Sequence, residues 1–290
     1  MNTLSLVPVG RPRTLNRWTA WLIWRQQRAN QAGVTALAAL ISVLLIVAIS
    51  ELRHADALGL HVCLSSGTGP SCATALSLLS QASQQLRILK ISLLVMPVII
   101  GMFAGAPLIA REYESGITRY SRTQGLAAEY LIAGTLVVNG AVIATVATIA
   151  GLMFNWATGL ANISMGFTVS PSTFPAQFPA LPAWSVLSYV LGVACGSLIH
   201  RTVPAMAATL IGYGSVLYLA QRLLRPHYDA LMFWGHYPHG ANLFWPYQVI
   251  ESTWLVIAAV AVASLLVAIP SLARKAAWQR AARRAGQGKR

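Results

Sequence analysis

The chain carries little charge: only 10% of its 290 residues are Asp, Glu, Lys or Arg, whereas 56% are hydrophobic. A soluble globular domain contains about 25% charged residues. The apolar residues lie in charge-free runs, each close to the roughly 20 residues that a helix needs to cross about 30 Å of hydrocarbon. These features exclude a soluble cytoplasmic enzyme and predict an integral membrane protein.

Groups that bind nucleotides are also scarce. No glycine-rich stretch ends in Gly-Lys-Ser or Gly-Lys-Thr, so the sequence has no P-loop. The three lysines, Lys90, Lys275 and Lys289, are not placed to hold a nucleotide. The only aspartates, Asp56 and Asp229, fall on the outer side in the topology predicted below. We therefore predict that this chain is not an enzyme on its own and binds neither a cofactor nor a metal.

The charge that is present is strongly basic, with 21 Lys and Arg against 7 Asp and Glu. A basic patch is typical of nucleic-acid binders, but cytoplasmic loops of membrane proteins also collect Lys and Arg. Because these charges flank apolar spans, we favour the second explanation and predict no nucleic-acid partner.

Hydropathy predicts an all-α membrane protein with six transmembrane helices, because backbone in lipid must satisfy its own hydrogen bonds. With the N-terminus inside, sixteen of the 21 basic residues fall on the inner side, and the positive-inside rule then places both termini in the cytoplasm. We divide the chain into a cytoplasmic N-terminus (1–30), a membrane domain (31–273) and a basic cytoplasmic tail (274–290). The predicted spans are Ala32–Ser50, Ile91–Ala110, Leu131–Phe154, Ala183–Ile199, Ala205–Gln221 and Trp254–Ser271.

Residues 15–30 mix three tryptophans with three arginines. An amphipathic helix lying in the cytoplasmic interface fits this composition, with indoles at headgroup depth and guanidiniums reaching water.

Cys63 and Cys72 both fall in the predicted outer loop between the first two spans. That compartment permits a disulfide, and two free thiols are the alternative. Cys195, alone in the fourth span, is predicted to be a small packing residue.

Four segments carry a family resemblance. They are WRQQRA at Trp24–Ala29, GMFAGAPLIAREYESGITRYSRTQG at 101–125, HRTVPAM at His200–Met206 running on to LLRPHY at Leu223–Tyr228, and FWPYQVIE at Phe244–Glu251. Taken in order, with the predicted topology, they resemble the permease subunits of type-2 ABC (ATP-binding cassette) transporters of the actinobacterial kind. This sequence differs in having Ile117-Thr118 where the family usually has Thr-His.

The resemblance implies a six-helix permease that dimerises, as a homodimer or pseudo-dimer, and carries separate ATPase subunits that bind ATP and Mg. It also implies that the loop from Glu112 to Gln124 is the coupling helix that docks on the ATPase; an ordinary solvated turn is the alternative. The predicted coupling residues are Glu112, Glu114, Ser115, Gly116, Thr118, Arg119 and Arg122.

In the same family the second and fifth helices line the central path. Residues there that could form an adaptable apolar and aromatic lining are Met96, Met102, Phe103, Met206, Tyr213 and Tyr218; lipid-facing bulk is the alternative for each.

Small-residue motifs occur in two spans, Gly101-x-x-x-Gly105 and Gly192-x-x-x-Gly196. Such motifs allow close helix approach, and packing within the chain is favoured over a dimer seam. Glu251, at the outer edge of the last span, would need a partner if buried, and Arg222 or Arg225 is the nearest in sequence. The outer cluster of His227, Asp229, His236 and His239 matches no standard zinc spacing, so an aromatic belt is favoured over a metal site.

Taken together, these features predict the membrane subunit of an ATP-driven exporter in a bacterial cell membrane. By analogy with the family, its substrate is hydrophobic or amphipathic: an antibiotic, a lipid or a peptide. The alternative is a non-transporting module, such as an immunity or sensor protein, that works with an ATPase partner. An ion-coupled carrier is disfavoured, because such carriers place ionisable groups mid-membrane and Asn139 is the notable polar residue within these spans.

Overall fold

The computed structural model describes residues 17–58, 63, 72–114, 128–165, 175–224 and 245–287, which are helical apart from short turns and contain no strand. Two short segments, Ile100–Gly105 and Ala220–Leu224, are π-helical. The first joins the helices Cys72–Ile99 and Ala106–Glu114 into one rod, and the second continues the helix Thr202–Leu219. The α-helices are α1 (Arg17–Ala57), α2 (Cys72–Ile99), α3 (Ala106–Glu114), α4 (Ala128–Met165), α5 (Ala180–Ile199), α6 (Thr202–Leu219) and α7 (Trp245–Gln287).

The described residues contain five helical stretches that are long and apolar enough to cross a membrane. The chain is therefore a multi-pass membrane protein. The predicted first span, Ala32–Ser50, lies inside α1, but six spans and their orientation remain predictions. The five stretches are Cys72–Arg111, Leu136–Gly159, Ala180–Ile199, Thr202–Leu223 and Tyr247–Ala268.

The α2–α3 rod begins earlier than hydropathy predicts. The predicted span started at Ile91, whereas α2 starts at Cys72. Residues Leu79, Ala82 and Leu86 are buried at helical spacing, because this part of α2 packs on α1. A hydropathy window misses it, since polar side chains on the other face lower the average.

The predicted domain boundaries fall inside helices. One helix, α1, contains both the first span and all but the first two residues of the predicted interfacial segment 15–30. Similarly, α7 passes through residue 273 and continues to Gln287. The interfacial position of residues 15–30 and the cytoplasmic location of residues 274–290 remain predictions.

Helix α5 lies at the centre of the bundle. It contacts the whole α2–α3 rod, α4, α6 and α7, and twelve of its residues are buried. Most of its apolar residues therefore face other helices, as expected for a core helix, while Leu198 near its end is 71% exposed. Cys195, on this helix, is a half-buried free thiol.

Both glycine motifs are used within the chain, where they bring α5 against the α2–α3 rod. A Cβ atom on Gly105 would lie 2.5 Å from the carbonyl oxygen of Tyr189 and 3.0 Å from the Cα atom of Gly192. A Cβ atom on Gly196 would collide with the carbonyl of Ala106. The two backbones therefore touch with no room for a methyl group.

Polar groups at one end of the bundle pair inside it. The Trp184 indole N–H on α5 donates to Oε1 of Glu251 on α7 at 2.8 Å, and only 1% of Glu251 is exposed. The arginine partners predicted for Glu251 are not confirmed: the Arg222 guanidinium stands 5.7 Å from the ring centre of Tyr218, and Arg225 lies outside the described residues.

Nearby amides form a second link. The Gln248 side-chain N–H donates to Oε1 of Gln177 at 2.7 Å, and Gln177 in turn donates to the Thr158 hydroxyl at 3.3 Å. This chain of bonds joins α7, the turn before α5 and α4. Deeper in the bundle, Asn139 is buried and its side chain is hydrogen-bonded to Tyr189.

Contacts also place Cys63 beside Cys72, with Cα atoms 5.4 Å apart and the sulfur atoms paired as a disulfide. This separation lies within the usual range for bridged cysteines. Helices α1 and α2 are also joined by a polar contact, in which the Gln85 amide on α2 donates to Glu51 on α1 at 3.1 Å.

We expect Gly105→Ala to destabilise the bundle, because the added methyl group must push two backbones apart; overpacking of this kind costs about 1–3 kcal/mol. Gly212→Ala is the matched control, since nothing lies within 4 Å of the position of its Cβ atom. Thermal unfolding in detergent micelles measures both variants. Equal midpoints for the two would contradict the close approach of α5.

We expect Glu251→Gln to unfold much like the wild type, because the amide oxygen still accepts from Trp184. Glu251→Leu leaves a buried indole N–H unpaired, which costs about 1–3 kcal/mol. The same unfolding measurement compares them, with Trp254→Phe at an exposed position of α7 as the control. A leucine variant as stable as the glutamine variant would show that this hydrogen bond does not hold α7.

Candidate functional site

The opposite end of the bundle, where α3 ends and α6 begins, carries a compact set of charged residues. Helix α5 ends at Ile199, and His200 takes a left-handed conformation with φ 56° while its N–H donates to the Gly196 carbonyl at 3.2 Å. This is a common way to end a helix. Helix α6 begins at Thr202, so the chain reverses within two residues.

Glu114, the last residue of α3, reaches across to this turn. The backbone N–H of Thr202 donates to Oε1 of Glu114 at 2.8 Å, and the Thr202 hydroxyl donates to Oε2 at 2.7 Å. Arg201, which precedes α6, makes no side-chain hydrogen bond that would cap the helix. The Glu114 carboxylate therefore does what a capping side chain does, but from a different rod.

The contact holds the pKa of Glu114 below its ordinary value of 4.5. The main cause is the hydrogen bond from the Thr202 backbone N–H, followed by that from the hydroxyl, with smaller contributions from Arg111 and Arg201. The Glu114 carboxyl group is therefore ionised at neutral pH, and its pKa is lower in the folded state than in the unfolded state. The stabilisation from this contact is present above about pH 4.5 and is lost only as the pH falls through the lower, folded value.

Of the predicted coupling residues, Glu112 lies in α3, and nothing is described of its side chain. Glu114 makes the contact above, and Ser115, Gly116, Thr118, Arg119 and Arg122 lie outside the described residues. The sequence interpretation missed Thr202. A signal existed, because a helix preceded by arginine has no capping side chain of its own, so its first N–H groups need an acceptor from elsewhere.

The residues predicted to line a substrate path do not form one surface in this conformation. Met96 and Tyr213 are buried inside the chain, and the Tyr213 ring meets that of Trp184 edge-on at 5.6 Å. Phe103 and Tyr218 are both 59% exposed, and Met102 and Met206 are half-buried. A lining role stays a prediction. In this conformation the exposure of Phe103, Tyr218, Met102 and Met206 is compatible with it, whereas the burial of Met96 and Tyr213 is not.

The predicted outer cluster of His227, Asp229, His236 and His239 lies outside the described residues. Within the parts of the chain that are described, no group of three His, Cys, Asp or Glu residues could hold a metal ion.

Comparison with known proteins identifies the family. A family model described as ABC-2 membrane transporter related matches residues 34–225, which is well over half of the chain. No curated protein and no solved structure matches. The matched stretch contains the glycine motifs, the central helix and the Glu114–Thr202 contact, and the chain belongs to the ABC-2 membrane transporter related family.

Proposed function

We propose that this chain is the permease subunit of an ATP-driven exporter in a bacterial cell membrane. It works as a homodimer or pseudo-dimer with separate ATPase subunits, which bind ATP and Mg. The observation that carries the proposal is the family match over residues 34–225, together with the five apolar helices.

The charged end of the bundle is where we propose that the ATPase docks. Arg111, Glu114 and Arg201 are exposed there, next to the sequence predicted to be the coupling helix. Polar, charged surfaces suit docking to a soluble partner, whereas lipid-facing ones do not. ATP binding would draw the ATPase subunits together, and the coupling helix would pass this movement to the membrane domain.

The proposed cargo is a hydrophobic or amphipathic compound, by analogy with the family. Large exposed apolar side chains cover α6 and α7, which suits contact with lipid and with such a compound. A non-transporting immunity or sensor module is the alternative, and it shares the ATPase partner but moves nothing.

The proposed orientation can be tested with single cysteines on a background in which Cys63, Cys72 and Cys195 are serine. With both termini in the cytoplasm, a cysteine at Arg283 should be shielded from an impermeant maleimide in intact cells. A cysteine within Ser65–Gly69 should label. Strong labelling at position 283 before lysis would reverse the topology.

The function itself is tested by isolating the tagged chain from its native membranes in detergent. We expect an ATPase with a P-loop to co-purify and to hydrolyse Mg-ATP in a vanadate-sensitive manner. Reconstituted vesicles should then move Hoechst 33342, an amphipathic dye, or a fluorescent phospholipid when ATP is added. An associated ATPase without movement of either probe would favour the non-transporting alternative.

The coupling segment is probed in the same preparation by Arg119→Glu with Arg122→Glu. Like charges placed across an interface can cost several kcal/mol, so we expect normal membrane insertion but little bound ATPase. Glu114 is unsuitable for this reversal, because its carboxylate is held by Thr202. Arg87→Glu, at an exposed site on α2, is the control. Full retention of the ATPase by the double variant would rule out this docking segment.

A further inference from the structure

The Glu114–Thr202 contact joins two rods whose contacting residues stand 88 positions apart. Thr202 donates to both carboxylate oxygens: its backbone N–H donates to Oε1 and its hydroxyl to Oε2. A single hydrogen bond would leave the carboxylate free to rotate, whereas two bonds fix its orientation. The contact therefore holds the last turn of α3 at a set height against the first turn of α6.

Small residues are packed beside this contact. Helix α3 touches both α5 and α6, and Ala106, Ala110 and Ala205 are fully buried in that region. Small residues let helices approach closely. The Glu114–Thr202 pair adds a directional polar link to this packing between α3 and α6.

The α2–α3 rod is irregular just before α3, where it lies against α5. The π-helical segment Ile100–Gly105 separates α3 from α2, and such segments interrupt the regular hydrogen-bond ladder. Pro97, just before it, donates no backbone hydrogen bond. The Ser188 hydroxyl, which lies against Gly101, is fully buried and has no hydrogen-bond partner among the described residues. Packing, rather than a complete set of polar bonds, holds this segment.

We propose that Glu114 is a positioning residue that couples α3 to α6: when an ATPase displaces the residues after Glu114, its carboxylate carries the first turn of α6 along. This inference rests on the proposed function, because it requires an ATPase acting on that loop. It assigns the transmission to one pair of side chains, of which Thr202 can be changed without altering the segment Glu112–Gln124.

The first test uses the chain alone in lipid nanodiscs and follows amide hydrogen exchange at the start of α6. Opening of a helix end speeds this exchange. We expect Glu114→Leu, which removes both acceptors, and Thr202→Val, which removes the hydroxyl bond, to speed exchange at residue 202 several-fold. Thr202→Ser should keep the wild-type rate. Thr253→Val is the matched control, because the Thr253 hydroxyl bonds the Val249 carbonyl in its own helix.

The second test uses the complex with its ATPase. Spin labels replace Ile149 on α4 and Ile211 on α6, both exposed, with Cys195→Ala and with labelled chain diluted by unlabelled chain. Pulsed electron paramagnetic resonance compares the label distance before and after trapping with ATP and vanadate. We expect the wild type to show a shift that Thr202→Val loses by more than half, while the ATPase stays bound, and that Thr202→Ser restores.

A full shift in both Thr202→Val and Glu114→Leu would overturn the inference while leaving the proposed function intact. No shift in a wild-type complex that binds and hydrolyses ATP would contradict transmission to α6. If no ATPase binds the wild type, the proposed function fails. In that case the exchange measurement still tests the Glu114–Thr202 contact by itself. Equal exchange rates in Thr202→Val and the wild type would refute its role in holding the start of α6.

Discussion

The close backbone contact between α5 and the α2–α3 rod is the constraint on which the rest of the bundle depends. Lipid supplies little hydrophobic force to bring one helix against another, so association relies on van der Waals contact and interhelical hydrogen bonds. Gly101, Gly105, Gly192 and Gly196 remove the side chains that would hold the backbones apart. Helix α5 can then sit at the centre and contact the other rods around it.

Once α5 is central, the large polar residues that it carries or faces are stabilised by partners inside the protein. A buried polar group without a partner costs several kcal/mol in an apolar medium. Trp184 meets Glu251 on α7, and Tyr189 meets Asn139 on α4. These pairs fix the rotation of α4 and α7 against the core, which apolar contacts alone would fix poorly.

The same central helix shapes the charged end of the molecule. Because α5 ends in a tight turn at His200, the start of α6 is delivered beside the end of α3. The amide groups at the start of a helix carry partial positive charge, and Glu114 supplies the negative charge and acceptors that they need. A helix-capping interaction thus becomes a link between two rods at the end where an ATPase is proposed to act.

Composition and hydropathy were enough to predict a multi-pass helical membrane protein, because burying about 20 apolar residues in lipid is a local property of each segment. The spacing of Gly101 and Gly105 likewise predicted close packing. The partners were decided by tertiary structure alone. Glu251 pairs with Trp184, and Glu114 pairs with Thr202. Sequence did not indicate either partner, because both contacts join residues far apart in the chain that only the folded bundle brings together. The early start of α2 has the same cause: its polar outer face hides the helix from hydropathy, and α1 supplies the surface that its apolar face needs.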